Sequence, residues 1–370
     1  MAKSILRRVF KSFSLSITIF LGSLFLIACV SSYINPSNWW VFGFIGLIVP
    51  YLILLLFFAF IFWLIAKPVY AWIPLICLTL GWQQMEVAFA WHLGSGFNKK
   101  KSAQNIRVVD WNVRSFNGLS NNIESKRLVR NEIADIILKI QADIVCLQEF
   151  NNSTERESAD NISLFTKTFP YYYFSRDYLR NNGSYQSGSI IFSKFPIIDS
   201  GKTKFPVAES LLFADIQKGD DTFRIFTTHM QSFKFKKEDY ADIEKIKGQE
   251  EESVTASKNI IIKMKRAFER RGLQSDIVRS QKDLSQLPTI IAGDFNDVPN
   301  SYPYFNIKGN WQDCFLKKGF GIGRTYLSLA PTLRIDYILA DNRFTVKQFD
   351  LVDEDLSDHM MLVTDLRINK

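Results

Sequence analysis

A run of 55 residues, from 12 to 66, contains no Asp, Glu, Lys or Arg. One membrane-spanning helix needs about 20 apolar residues, so the run is long enough for two such helices and a turn. A proline among small polar residues interrupts it at Asn35-Pro36-Ser37-Asn38, which is typical of a turn. The run therefore predicts two transmembrane helices, at about 12–33 and 39–66.

A third apolar stretch, 69–93, predicts a further helix, although Gln83, Gln84 and Glu86 make its second half more polar. Residues 1–97 are thus expected to form a membrane anchor of three transmembrane helices, of which the third rests on this weaker pattern. A cleaved signal peptide does not explain a run of this length. Leu26-Ile27-Ala28-Cys29 matches a bacterial lipobox, but cleavage there would leave two helices in place.

The basic residues near the N-terminus indicate the orientation of the anchor. Lys3, Arg7, Arg8 and Lys11 precede the first helix, and such clusters stay cytoplasmic. Three crossings would then place residues 98–370 outside the cytoplasm. The triplet Lys99–Lys101 argues the other way, and a third helix that only lies on the membrane would leave the domain cytoplasmic.

Residues 98–370 have the composition of a soluble domain, with 40 Lys/Arg and 36 Asp/Glu. Over the whole chain of 370 residues, a hydrophobic content of 47% excludes disorder as the main state, and four cysteines are too few for a disulfide scaffold. Short β-branched and aromatic runs bounded by polar residues predict strands. These lie at 106–113, 143–149, 188–193, 211–216, 223–229, 287–294, 334–339 and 361–366.

Two stretches with helical periodicity, 124–140 and 250–285, lie among these strands, and the second has an expected break near Gly272. Strands interleaved with helices predict a mixed α/β layer protein. Many of the strands end in an acid, an amide or a histidine. Such ends meet at one edge of a sheet, where α/β proteins place their sites.

The polar strand ends together suggest one reaction. Acids and amides without a cysteine favour Mg²⁺, with Mn²⁺ or Ca²⁺ also suitable, and histidines beside carboxylates can move protons near neutral pH. This combination suits metal-assisted hydrolysis of a phosphoester. The candidate residues are Asn112, Glu149, His229, Asp294, Asn296, Asp336, Asp358 and His359.

The candidate residues lie in six short motifs. In chain order these are Trp111-Asn112-Val113, Leu147-Gln148-Glu149, Thr228-His229, Gly293-Asp294-Phe295-Asn296-Asp297, Arg334-Ile335-Asp336-Tyr337 and Ser357-Asp358-His359. Together and in this order they resemble the motifs of the endonuclease/exonuclease/phosphatase superfamily, which includes deoxyribonucleases, AP endonucleases, neutral sphingomyelinases and inositol-polyphosphate 5-phosphatases. The resemblance covers about residues 104–368, and the N-terminal helices resemble those of membrane-anchored bacterial members.

The resemblance implies a four-layer α/β/β/α sandwich preceded by the membrane anchor, and it implies a role for each residue. Glu149 would be the principal metal ligand, with Asn112 and Asp358 beside the metal. Asp294 would activate or orient the attacking water, and Asn296 would hold a phosphate oxygen. Asp336 and His359 would form a carboxylate–histidine pair, and His229 would be the second histidine.

The sequence departs from the family pattern at two places. Met360 follows the final Asp-His, where many members have proline, so an altered loop is expected. In the deoxyribonuclease branch a glutamate supports the first histidine, but Asp177 is the only acid in 171–188. This segment therefore offers His229 no glutamate partner, and the sequence leaves open whether it has another carboxylate partner.

The substrate expected from the sequence is a phosphoester, either nucleic acid or a lipid headgroup. A nuclease is favoured slightly; a lipid phosphodiesterase or phosphatase resembling sphingomyelinase or phosphoinositide phosphatase is the alternative. A non-catalytic membrane-anchored binding protein on the same fold is a further one. The expected location is the bacterial cytoplasmic membrane, and the sequence identifies no protein partner.

Overall fold

A computed structural model describes residues 2–93, 96–117, 122–155, 159–248 and 253–369 of the chain. The N-terminal part consists of helices α1 (Ala2–Ser31), α2 (Val41–Ala66), α3 (Pro68–Leu80) and α4 (Trp82–Ala88). The segments Ile5–Ser31 and Val41–Ala66 are long and apolar enough to cross a membrane, judged by length and composition. The turn between α1 and α2 contains the predicted Asn35–Asn38 sequence.

The third predicted helix, 69–93, is divided at Gly81 into α3 and α4. A Cβ atom on Gly81 would lie 2.4 Å from the ring of Phe25 in α1, so the chain passes too close to α1 for a larger residue. Gln84 in α4 donates a hydrogen bond to the carbonyl of Cys29. These contacts hold the break in place and direct the chain toward the folded domain.

The remaining elements form a domain of strands and helices. In chain order they are β1 (Ala90–Trp91), β2 (Ile106–Asn112), α5 (Arg114–Asn117, a left-handed turn), α6 (Ile123–Lys139), β3 (Ile144–Ser153), α7 (Ser163–Thr166), β4 (Tyr171–Phe174), β5 (Tyr178–Arg180), β6 (Tyr185–Ser193), β7 (Ile197–Lys204), β8 (Ser210–Lys218), β9 (Asp221–His229), α8 (Lys237–Gly248), α9 (Ser253–Leu284), β10 (Thr289–Asp294), α10 (Tyr302–Lys308), β11 (Gln312–Asp313), α11 (Cys314–Lys318), β12 (Phe320–Gly321), β13 (Asp336–Ala340), β14 (Phe344–Val352) and β15 (Met361–Ile368).

Two sheets face each other in this domain. The larger has the strand order β14-β15-β2-β3-β6-β4, with β5 also paired to β6, and the smaller has the order β11-β13-β10-β9-β8-β7. Strands β2 and β3 are parallel, as are β9 and β10. Parallel neighbours end at the same edge of a sheet, which brings the polar residues that follow them together.

Three apolar clusters define the layers. One lies between the sheets and includes Val108 of β2 and Ile225 of β9. The second packs α6 and α7 on the outer face of the larger sheet, and the third packs α9 and α10 on the outer face of the smaller sheet. The predicted four-layer α/β/β/α sandwich is therefore confirmed.

Residues of α4 and β1 also belong to this sandwich. Val87 lies in the cluster beneath α9, and Ala90 lies in the cluster between the sheets. Strand β1 pairs with β12, and the Val87 carbonyl accepts a hydrogen bond from buried Arg334. A division of the chain at residue 97 would thus assign to the anchor residues that pack in the sandwich.

The long predicted helix 250–285 corresponds to α9, whose predicted start at Glu250 lies outside the described residues. The expected break near Gly272 is absent, because α9 runs through it without interruption. A Cβ atom on Gly272 would lie 2.2 Å from Oδ1 of Asn35. This glycine therefore allows the turn between α1 and α2 to approach α9, rather than ending the helix.

Candidate active site

Three adjacent strands of the smaller sheet place three site residues side by side. Asp294 at the end of β10 is in register with His229 at the end of β9 and with Asp336 at the start of β13. All three residues are buried. The register alone therefore brings an imidazole and two carboxylates to one edge of the sandwich.

Asn112 and Glu149 approach the same point from the larger sheet. Glu149 lies at an irregularity in the β3–β6 pairing and has a φ of 51°, which is uncommon for a residue other than glycine. Such bulges redirect side chains. The Nδ2 atom of Asn112 donates to Glu149 Oε1 at 3.4 Å and to Asp294 Oδ2 at 3.1 Å, so the two sheets meet at this amide.

His359 and Asp336 form the predicted carboxylate–histidine contact. Both carboxylate oxygens of Asp336 lie 3.0 Å from Nδ1 of His359, and Nε2 of His359 lies 3.9 Å from Oδ2 of Asp294. Burial alone would lower the pKa of His359, but Asp336 and then Asp294 raise it to about 10. The imidazole is therefore charged at neutral pH in the absence of metal.

Met360 forms the backbone contact that a proline would lose. Its N–H donates to the Thr325 carbonyl at 2.7 Å, whereas proline has no N–H. The Thr325 hydroxyl accepts the N–H of Asp336 at 3.1 Å. The departure from the family motif thus joins the segment that carries His359 to the segment that positions Asp336.

His229 has a carboxylate partner, a question that the sequence left open. Its Nδ1 lies 2.8 Å from Oε2 of Glu209, whereas Asp177 contacts Lys202 and Ser210 instead. Burial alone would lower the pKa of His229, but Glu209, Asp294 and Glu149 raise it to about 10.

Once the pairing of β8 with β9 is known, the sequence contains a signal for Glu209. Strand β8 pairs antiparallel with β9 so that Leu211 faces Thr228. The residues just before β8 therefore lie at the edge where β9 ends in His229. An acid immediately before the strand that precedes the histidine strand is thus the position to examine, rather than the earlier segment 171–188.

Both histidine rings approach the same carboxylate oxygen of Asp294. Nε2 of His229 lies 3.7 Å from Oδ2 of Asp294, close to the 3.9 Å separation of His359 from the same atom. Burial, and then Asp336, raise the pKa of Asp294 to about 6, although the two imidazoles oppose this rise. Asp294 therefore titrates near neutral pH, as suits a group that accepts a proton.

The loop after β10 holds Asn296 in a left-handed conformation, with a φ of 55°. Its N–H donates to Asp294 Oδ1 at 2.7 Å, and its Nδ2 donates to the Met230 carbonyl at 3.0 Å. From α9, Arg271 donates to the Asn296 carbonyl at 2.6 Å and lies 3.0 Å from Asp297. This fully buried arginine fixes the loop, and sequence reasoning missed it.

Asp358 lies at the rim of the same site and is partly exposed. Its Oδ2 is 3.7 Å from Nε of Arg114, half of whose side chain is exposed. The Ser357 hydroxyl donates to the Asn112 carbonyl at 2.7 Å. Asp358 and Arg114 both line a cleft of about 590 Å³ that also exposes Glu149, His229, Asp294 and His359. All eight predicted residues therefore lie in or beside this cleft. Arg114 is a further residue of the cleft that the sequence did not predict.

The donor atoms of the site suit a divalent cation with oxygen ligands. The ligand atoms of Asp294, Asp336 and His359 lie within 4.8 Å of one another, but the Asp336 oxygens already face the His359 ring. Glu149, with 38% of its side chain exposed, offers more accessible oxygens. For this reason we favour the Glu149 side of the cleft over the Asp294 group as the place where a cation would bind.

A family model described as "Endonuclease/Exonuclease/phosphatase family" matches residues 111–359. The chain belongs to the endonuclease/exonuclease/phosphatase family. Members of this family are in general hydrolases that act on phosphoesters and use a divalent metal. A second model, "Domain of unknown function (DUF8431)", matches residues 8–87.

Solved structures of the endonuclease/exonuclease/phosphatase family are similar in fold. A protein of this family from Beutenbergia cavernae has 18% identity and a TM-score of 0.50, over 72% of each chain. A Bacteroides vulgatus protein has 17% identity and a TM-score of 0.49, over 73% of this chain and 100% of its own. The human Nocturnin catalytic domain with bound sulfate has 17% identity and a TM-score of 0.48, over 72% and 94%. Among curated proteins, none matches this chain.

Proposed function

We propose that this protein is a membrane-anchored, divalent-metal-dependent phosphoesterase that hydrolyses phosphodiester or phosphomonoester bonds. The observation that carries the proposal is the convergence of two carboxylate-paired imidazoles on one oxygen of Asp294. This arrangement provides a proton acceptor between two charged donors, at the floor of an open cleft. Hydrolysis of a phosphoester needs both kinds of group.

In the proposed mechanism, Asp294 orients the attacking water and accepts its proton. Asn112 donates to the same carboxylate oxygen and helps to keep it in position. The charged His359 donates a hydrogen bond to a phosphoryl oxygen, on which negative charge increases in the transition state. As the P–O bond to the leaving group breaks, the charged His229 gives its proton to the leaving oxygen. Asp336 and Glu209 keep these rings oriented and protonated. The amide of Asn296 would bind a further phosphoryl oxygen.

A divalent cation suits the carboxylate oxygens of the cleft, and we propose that Glu149 and Asp358 hold it. Asn112 would lie beside the cation, since its amide oxygen already accepts the N–H of Arg114. When bound, it would supply charge stabilisation at the phosphoryl and leaving oxygens. Mg²⁺ is the expected ion, with Mn²⁺ and Ca²⁺ as substitutes, because these ions prefer oxygen ligands.

The membrane anchor in this proposal consists of α1, α2 and α3, and α4 leads from it into the catalytic domain. In the most apolar 18-residue stretch of each helix, only 28% of the residues of α1 and 22% of those of α2 are buried. The core helix of a soluble protein is mostly buried. The outer faces of both helices carry large apolar side chains that are more than half exposed, such as Phe20 and Phe58. A lipid environment would cover these faces.

The distribution of basic residues supports an extracytoplasmic catalytic domain. Lys11 and Lys67 both lie over the ring of Tyr70, at 5.2 Å and 4.5 Å from its centroid. The opposite end of α1 contacts the catalytic domain, where the Ser32 hydroxyl donates to the Asn300 carbonyl. Twenty helical residues after Lys11 span about 30 Å, the thickness of a hydrocarbon core. Basic residues remain cytoplasmic, so the domain would lie on the other side.

The test is hydrolysis by the full chain in detergent, with Mg²⁺, on plasmid DNA, an abasic duplex, sphingomyelin and a phosphoinositide. We expect cleavage of one class, abolished by EDTA and by Glu149→Gln. Asp294→Asn and His359→Ala should each lower kcat about 10²-fold or more. A folded protein that cleaves none of these substrates would favour the non-catalytic binding protein, and activity that survives EDTA would exclude the metal mechanism.

A further inference from the structure

The lining of the cleft above Asp294 is partly apolar, and this apolar part is called its wall. Besides the carboxylates and imidazoles described above, apolar side chains line the cleft, mainly from three separate parts of the chain. These parts are α2, the segment after β9 and the segment before β13. Their apolar side chains are Leu47, Phe233, Phe235, Leu329, Leu333 and Ile335.

Leu47 is notable because α2 is one of the two helices of membrane-spanning length. Close packing holds the start of α2 against the domain: a Cβ atom on Gly46 would lie 2.8 Å from the Asn300 carbonyl oxygen. One turn beyond Leu47, the Tyr51 hydroxyl lies 3.5 Å from the hydroxyl of Thr332. The catalytic cleft therefore includes the side of a candidate transmembrane helix in its wall.

The side of α2 that carries Leu47 continues away from the domain as an exposed apolar surface. Tyr51, Leu54, Leu55 and Phe58 follow Leu47 at helical spacing, and their exposed fractions are 44%, 52%, 47% and 57%. The opposite side of α2 is buried against α1 and α3 through Val49, Leu52 and Leu56. An apolar track thus leads from the cleft along the outer face of α2.

We propose that the substrate is an amphiphilic phosphoester whose phosphoryl group enters the cleft while its hydrocarbon chain stays on the outer face of α2. This inference rests on the proposed phosphoesterase function and specifies its substrate class. The hydrocarbon chain of the substrate would lie between Leu47 and Leu329, whose side chain is 44% exposed. A lipid would then reach the site by lateral movement within the bilayer.

The charges around the cleft fit a single anionic headgroup better than a nucleic acid backbone. Arg114, Lys234 and Lys236 line the same cleft, and three basic side chains suit one phosphorylated headgroup. A nucleic acid requires a long basic surface, but Leu47 of the apolar helix α2 also lines the cleft. Nucleic acid is therefore the competing outcome in the test.

The experiment uses the full chain in phosphatidylcholine vesicles with Mg²⁺. The substrates are a long-chain phosphoinositide, a polyprenyl phosphate, a water-soluble short-chain analogue of the phosphoinositide, and plasmid DNA. We expect at least a tenfold higher kcat/KM for one long-chain substrate than for the short-chain analogue. Whether the phosphoinositide or the polyprenyl phosphate is cleaved identifies the source of the phosphoryl group.

Substitutions in the wall test the route. Leu47→Trp, which stays apolar but narrows the cleft, and Leu329→Asn, which suits a residue with a φ of 68°, should each lower the long-chain to short-chain rate ratio at least fivefold. Leu284→Asn, an equally polar change at an exposed site at the end of α9, should leave the ratio unchanged.

Four results would overturn the proposal. Equal rates on long-chain and short-chain substrates, or a ratio unaffected by both wall variants, would remove the lateral route while the phosphoesterase function stands. Preferred cleavage of DNA would replace the lipid with a nucleic acid substrate, again with the function intact. Hydrolysis of none of the four would remove this inference, and if sphingomyelin and the abasic duplex are not hydrolysed either, the proposed function falls with it.

Discussion

The Nδ1 atom of His229 lies 2.8 Å from Oε2 of Glu209, although Glu209 lies just before β8, His229 ends β9, and the two are 20 positions apart in the sequence. The pair repeats the arrangement of His359 with Asp336, where the Nδ1–carboxylate distance is 3.0 Å. In each pair the carboxylate holds one ring nitrogen, so Nε2 is left to point at Asp294. The site therefore contains two equivalent carboxylate–histidine pairs around one carboxylate.

Glu209→Gln is expected to reduce kcat about 10²-fold, because His229 would lose the group that keeps it oriented and charged. The same change should lower the pKa of His229, measured by NMR of the imidazole in metal-free protein. Asp177→Asn is the matched control: Asp177 is the acid that the sequence offers as a partner, but it contacts Lys202 and Ser210. A larger effect of Asp177→Asn than of Glu209→Gln on the pKa of His229 would contradict this pairing.

The stability of the metal-free protein is expected to fall as the pH rises. His229 and His359 have folded-state pKa values of about 10 against an ordinary value of 6.5, so their stabilisation is complete below pH 6.5 and is lost toward pH 10. The pKa of Asp294, raised from 3.8 to about 6, adds a loss between those two values. Folded states with raised pKa values lose stability in this direction.

This dependence can be measured as the Tm of the full chain in detergent with EDTA, from pH 5 to pH 10. Glu209→Gln and Asp336→Asn should each flatten the decline above pH 6.5, since each removes one cause of a raised histidine pKa. A wild-type Tm that rises through this range, or variants with the wild-type slope, would show that the imidazoles are not held in their charged form.

The sequence predicted the core of the fold because its strand patterns and its site motifs coincide. Asn112, His229 and Asp294 each end a buried strand, so a β-branched or aromatic run followed by a polar residue was sufficient to find them. Glu209 was missed because it precedes its strand and reaches His229 only through the β8–β9 pairing. The local sequence of a strand does not show which other strands it pairs with.

Packing between distant segments explains the other differences. Gly272 was expected to interrupt α9, but it allows Asn35 to approach, a contact between residues more than 200 positions apart. Strands β7 and β14 were not predicted, since Ile197–Lys204 and Phe344–Val352 contain several charged or polar residues and are largely half-buried. Leu47 gave no sign of its place in the cleft, because in sequence it is one apolar residue among many.

Gly46→Leu is expected to separate α2 from the catalytic domain. The new side chain would meet the Asn300 carbonyl, where even a Cβ atom would be 2.8 Å away, and overpacking of this kind costs about 1–3 kcal/mol. The measurement is the Tm of the full chain in detergent, together with protease sensitivity of the segment between α1 and α2. Gly96→Leu is the control, since a Cβ atom there has no neighbour within 4 Å; equal losses in both variants would argue against docking.

The orientation of the domain can be tested by cysteine labelling in intact cells. The four native cysteines are buried, so a cysteine introduced at an exposed position provides a clear signal. Lys100→Cys should react with a membrane-impermeant maleimide added outside, whereas Arg8→Cys should react only after the cells are opened. The reverse pattern would place the catalytic domain in the cytoplasm, and labelling of both would indicate that the helices do not span the membrane.

A chain that begins at residue 98 is expected to be less stable than one that begins at residue 82. Both lack α1, α2 and α3, but the shorter chain also lacks Val87 and Ala90, which are buried in the sandwich. Burying a valine contributes about 1.5–3 kcal/mol, and the hydrogen bond that buried Arg334 donates to the Val87 carbonyl contributes about 1.5–3 kcal/mol more. The free energy of unfolding, measured in urea for both chains, should therefore differ by about 3 kcal/mol or more. In the longer chain, Val87→Ala should reproduce part of this loss of stability, because it removes the side-chain contact but keeps the carbonyl. Equal stability of the two chains would instead mean that α4 and β1 belong with the anchor and that the sandwich is complete from residue 98.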